Sequence, residues 1–123
     1  MTMRIDALTM TEVLAPLART ATANGSAIDT HDYTNMYGFM LTTTAGTGTT
    51  PTLDMTIEDS ADGSTGWATV GTFTQVTDAA DSSEIIFIDI DSVKKYIRAT
   101  ATIGGTTPSF TCAVLGIGET QAS

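Results

Sequence analysis

Cysteine, histidine and tryptophan each occur once in these 123 residues, proline three times, and only five residues are basic. Each scarcity excludes something. A single cysteine, Cys112, forbids an intrachain disulfide, so nothing ties the chain to an oxidising compartment. A single histidine, His31, cannot build a histidine-rich metal site. Five basic against 14 acidic residues leave a net charge of −9, which disfavours nucleic acid and anionic membranes as partners. No apolar run approaches the roughly 18 residues of a membrane span. The opening Met1-Thr2-Met3-Arg4-Ile5-Asp6 lacks an apolar core and carries an early acid, so no secretory signal is expected. The expected product is soluble and made in a reducing cell.

What is present is β-forming. Apolar residues are 41% of the chain, enough for a core, while charged residues are only 15%. Threonine, about a fifth of the chain, supplies the remaining polarity together with eleven glycines. Such a composition favours short strands and many turns over helices. Leu53, Met55 and Ile57 alternate with Asp54, Thr56 and Glu58, as in a half-buried strand. Ile97, Ala99, Ala101 and Ile103 make a second inward row opposite Tyr96, Arg98, Thr100 and Thr102, and Phe110, Cys112 and Val114 a third. Segments 17–22, 26–30 and 67–76, with 36–41 and 85–90, bring the count to about eight strands. No connection is long enough for a crossover helix. The expected fold is therefore all-β: an antiparallel sandwich, jelly-roll or immunoglobulin-like, over residues 17–123, with Leu53, Met55, Ile57, Ile97, Ile103, Phe110 and Val114 in its core.

Two further patterns carry expectations. Gly48-Thr49-Thr50-Pro51-Thr52-Leu53 recurs 57 residues later as Gly105-Thr106-Thr107-Pro108-Ser109-Phe110. Either convergent turn chemistry or two equivalently placed hairpins accounts for it, and both accounts make each segment a hairpin. Residues 1–16 differ from the rest. Thr9 and Glu12 have capping-box spacing, but Pro16 limits any helix to about two turns. The segment reads as a loose arm or an edge strand, or more sharply as an attachment arm docking through Ile5, Leu8, Met10, Val13 and Leu14. Met36–Leu41 and Ile85–Ile90 are apolar on both faces, which points to subunit contacts through Tyr37, Phe39, Ile85 and Phe87, closed as a homotrimer.

The residues that could carry chemistry read as structural. His31 sits beside Asp29 and Asp32 in a loop, with no Gly-x-Ser-x-Gly elbow to go with it. Cys112 lies on an inward row, as a small buried hydrophobe. Asp59–Ser64 lacks the alternate acids and terminal glutamate of a calcium loop and reads as a turn centred on Asp62-Gly63. Asp78, Asp81 and Glu84 read as a solvated loop, and Asp89 and Asp91 as surface partners of Lys94 or Lys95. No catalytic, cofactor-binding or metal site is expected.

The run 48–64, with Trp67, 73–77, 95–99 and 104–110, resembles small structural proteins in the head genes of tailed bacteriophages, nearest in kind to auxiliary capsid (decoration or cement) proteins. The resemblance covers residues 17–117. It implies a non-enzymatic β domain, made in the host cytoplasm and placed on the outside of the head, where it binds the major capsid protein. Another virion part (tail, neck or fibre adaptor) is the nearest alternative. Ser60-x-Asp62-Gly63-Ser64-x-x-Trp67, followed by Lys95-Tyr96-Ile97-Arg98, also resembles discoidin-type carbohydrate-binding sandwiches, which would imply a glycan platform on Trp67, Tyr33 or Tyr37.

Overall fold

The computed structural model describes residues 7–120. Period-two patterning dominates it, and the result is an antiparallel β-sandwich. Its eight strands are β1 (Leu8–Arg19), β2 (Ala23–Asn24), β3 (Ile28–Asp29), β4 (Tyr33–Thr43), β5 (Thr47–Ser60), β6 (Ala68–Thr72), β7 (Ser82–Asp89) and β8 (Tyr96–Thr120). The first half of β8 pairs with β5 on one edge and with β2 and β3 on the other, and β6 extends β5. We call this layer sheet B. The second half of β8 pairs with β1 and β4, and β7 extends β4 to form sheet A.

One strand thus serves both layers, and length forces it to bend. Twenty-five extended residues would span about 80 Å, whereas a domain of this size is only about 35 Å across. The bend falls at the repeated Gly-Thr-Thr-Pro motif. Gly48 and Gly105 adopt φ of 104° and 111°, and Thr50 and Thr107 φ of 45° and 46°. Each of those threonine hydroxyls donates to the carbonyl of the residue before it, at 2.8 Å in both copies. The copies lie side by side, with Thr47 opposite Ser109, Thr49 opposite Thr106 and Thr52 opposite Gly104. Exchanging every residue for its counterpart 57 positions away leaves those pairs unchanged. A Cβ on Gly48 would lie 2.5 Å from the Thr107 carbonyl oxygen, and one on Gly105 2.7 Å from that of Thr50, so only glycine fits at either crossing point. The motif is therefore not two hairpins, as its turn-like composition suggested. It is one crossing at which β5 and β8 bend past each other.

The core lies between the sheets. Leu53, Met55, Ile57, Ile97, Phe110 and Val114 are fully buried as expected, joined by Tyr37, Phe39 and Leu41, while Ile103 is only partly buried. Segment 67–76 is strand only to Thr72. Beyond it Phe73 and Val76 bond to Met55 and Leu53 across the sheet edge and close the core there.

The expected boundary at residue 16 is corrected. Residues 8–16 are most of β1, paired with β8 from Leu8–Glu119 onward. Irregularities in register between Glu12 and Leu14, and between Leu14 and Leu17, turn two consecutive residues inward, so that Val13 and Leu14 are 2% and 3% exposed. Pro16 is tolerated because β1 is an edge strand and needs no hydrogen bond from that position. Of the attachment residues, Ile5 lies outside the described residues, and Val13 and Leu14 are core. Of the four described, only Met10 is exposed, and Leu8 is half-buried.

Candidate interaction surface

Alternation along a strand fixes which side chains leave the core, and register then fixes which of them meet. On sheet A the inward set is Tyr37, Phe39 and Leu41 from β4, with Cys112 and Val114 from β8. Gly116 and Gly118 continue that inward row because Tyr37 lies across them. A Cβ on Gly116 would meet the Tyr37 hydroxyl, and one on Gly118 would sit 2.6 Å from the Tyr37 and Tyr33 rings. Tyr33, Tyr37 and Phe39 form a ladder of ring contacts at 4.9 and 5.0 Å. Burial pushes the Tyr37 phenol up to about 12, with Thr11 acting in the opposite direction. Tyr37 and Phe39 are therefore internal, contrary to their expected place in a subunit contact.

The alternate residues face outward and align into rows. Met10, Ile117, Gly38 and Phe87 are successive cross-strand neighbours over β1, β8, β4 and β7. The next row is Glu12, Leu115, Met40 and Ile85. Met10 is 61% exposed, Phe87 50%, Ile85 45% and Met40 36%. A Cβ on Gly38 would lie 2.9 Å from the Phe87 ring and 3.0 Å from Ile117, so those two side chains close over the glycine. The surface continues into a groove of about 360 Å³ lined by Pro16, Thr42, Ser83 and Ala113 among others. Ile85 and Phe87, expected at an interface, are thus exposed together with Met10. Leu115, Ile117 and Met40 were missed. The available signal was the glycines at 116 and 118, which mark the inward parity and leave Leu115 and Ile117 outward.

Sheet B is finished differently. Its outward positions on β5 and β8 are Asp54, Thr56, Glu58, Arg98, Thr100 and Thr102. Arg98 pairs with Glu58 at 3.0 Å and lies 4.0 Å from the centre of the Trp67 ring. Thr100 donates to Glu58, and Gln75 donates to Asp54. Of the aromatics expected to serve a glycan platform, Tyr37 is buried and Trp67 has one face covered by Arg98.

The residues weighed for chemistry are held by local bonds. His31 is exposed in a 3-10 turn, Thr30–Asp32, where its backbone N–H bonds the Asp29 carboxylate. Asp89 accepts the Asp91 N–H in the matching turn Ile90–Ser92, and Lys95 pairs with Asp29 at 3.8 Å rather than with Asp89 or Asp91. Asp62 accepts from the Thr65 and Ser64 backbone, which holds its carboxyl far below the usual range. Burial raises the Cys112 thiol. Among the described residues no three His, Cys, Asp or Glu side chains converge as a metal site, and no helix is long and apolar enough to cross a membrane.

No protein-family model matches this chain, and no curated protein sequence matches it. Solved structures do match in fold. The disulfide-linked pili of Bacillus endospore appendages align over 94% of this chain and 90% of theirs (TM-score 0.55, 17% identity). The PBSX exported protein XepA aligns over 94% of this chain and 38% of its own (TM-score 0.63, 14% identity). The VP2 subviral particle of infectious bursal disease virus aligns over 92% and 32% respectively (TM-score 0.59, 14% identity). Against the last two, this chain spans only about a third of the longer protein, 38% and 32%. At these identities the likeness is one of fold.

Proposed function

We propose that this chain is a non-enzymatic structural component of a virion, an auxiliary protein that binds the outside of a tailed-phage head and stabilises its lattice of major capsid protein. One observation carries the reading: the outer face of sheet A, where Met10, Met40, Ile85 and Phe87 stand exposed on one side of the sandwich. Contiguous apolar surface of this kind belongs at a contact between proteins. The fold neighbours add support, since two of them are named for assemblies of protein subunits, a pilus and a subviral particle. The sequence resemblance to head proteins supplies the particular particle. The acidic balance, −9 overall, fits a protein that contacts other proteins rather than packaged nucleic acid.

The test is removal and restoration. Heads assembled without this chain should lose integrity at a lower temperature than complete heads, and adding back the purified protein should restore them. Heads equally stable in both states, with the chain absent from purified particles by mass spectrometry, would refute the reading. Recovery of the chain with tails alone would move it to the tail.

A further inference from the structure

The outer face of sheet A has a charge pattern as well as an apolar centre. The outward row of β7 and the residue before it reads Asp81, Ser83, Ile85, Phe87, Asp89, with an exposed acid at either end. Those two acids lie about 25 Å apart along the strand. Glu12 adds a third carboxylate from β1, in the same row as Leu115, Met40 and Ile85. Asp81 and Asp89 each accept one backbone N–H, from Ala45 and Asp91, which fixes their direction without neutralising them. None of the outward positions in these rows is basic. Lys94, Lys95 and Arg98 belong to β8's first half or the turn before it, on the sheet B side of the molecule, and Arg19, at the end of β1 away from Met10, is turned onto the Ala15 carbonyl.

We propose that this face docks a different protein, one presenting an apolar patch framed by lysine or arginine, and not a second copy of this chain. The proposal rests on the virion reading above, under which that partner is the head lattice. Two copies packed through this face would bring Glu12, Asp81 and Asp89 together with no cation among the described outward positions of these rows, on chains already at −9. A basic frame meets the same acids favourably, speeds encounter and fixes register. The apolar centre, with an aromatic and a methionine, is the composition that interface cores favour. Phe87 and Ile117 are already packed over Gly38, so little ordering cost remains when a partner arrives.

The experiment measures binding of the full chain to phage heads assembled without it, at low and high salt, alongside sedimentation of the free chain at tens of micromolar. Phe87→Asp should bind at least about tenfold more weakly, as loss of a central anchor does. Glu12→Lys should bind about fivefold more weakly with a flatter salt dependence, as loss of a rim charge does. Circular dichroism matching the parent, for each variant, keeps misfolding out of the comparison. The free chain should sediment as a monomer. Heads that bind both variants as well as the parent would overturn the inference and leave the virion reading intact. Free oligomers that Phe87→Asp dissolves and Glu12→Lys strengthens would overturn it in favour of a second copy, including the expected trimer. Failure of the parent to bind heads would overturn the virion reading and this inference with it.

Discussion

The outer faces of the two sheets share a strand and a register logic, yet they are finished in opposite ways. On sheet B, Glu58 faces Arg98 directly across the strands, Thr100 donates to the same carboxylate, and Arg98 rests on Trp67. That face satisfies itself. On sheet A, the equivalent outward positions are Met10, Leu115, Ile117, Met40, Ile85 and Phe87, which gain nothing from water. The difference teaches where to look for a partner: a face whose polar groups are already paired has little left to offer, whereas an uncovered apolar one has its stabilisation still to come.

Substitutions sharpen this contrast when ranked by effect on the isolated chain. Phe110→Ala strikes the core beneath both sheets and should cost about 3–5 kcal/mol in urea denaturation. A loss below about 1 kcal/mol would mean the two layers do not share a packed interior. Alkaline titration probes the interior of sheet A. Tyr37 ionises near 12 when folded against about 10 when exposed, so the folded state holds its proton longer. Its contribution is fully present below about pH 10 and is lost as pH rises through 12, some 2–3 kcal/mol in all. Tyrosinate absorbance should show one phenol titrating late, together with unfolding.

The faces themselves should then separate. Arg98→Ala on sheet B should cost about 1–2 kcal/mol, since it removes a charged hydrogen bond and a ring contact and leaves Glu58 with only the Thr100 hydroxyl as donor. Ile85→Thr on sheet A should cost under about 1 kcal/mol, because an exposed side chain is exchanged for another β-former. Thermal melts of the two variants side by side settle the order. A costlier Ile85→Thr would mean that sheet A's outer face is part of the monomer's own packing.

Half of this contrast could be read from the residues. Asp54, Thr56 and Glu58, alternating with Leu53, Met55 and Ile57, have one polar and one apolar side, so their orientation follows from period alone. Met36–Leu41 and Ile85–Ile90 are apolar on both sides, and there the period is silent about which parity faces inward. Tyr37 and Phe39 were therefore placed outside, when glycines 116 and 118 on the neighbouring strand receive the Tyr37 ring inside. The register that brings those residues together joins positions some 80 apart in sequence, and no local pattern encodes it. The Gly-Thr-Thr-Pro repeat misled for a related reason. Glycine and proline mark a change of chain direction, but a bend within a strand and a hairpin use the same residues. β1 was obscured by its irregular pairing, which breaks the alternation at Val13 and Leu14.

The most direct test of the account is a density map of the intact particle, at a resolution that places side chains of this chain. The account predicts sheet A turned toward a neighbouring protein, with Ile85 and Phe87 covered and lysine or arginine beside Glu12, Asp81 or Asp89. Sheet B's Arg98–Glu58 face should be open to solvent. The reverse orientation, with sheet A bare and sheet B against the lattice, would contradict it.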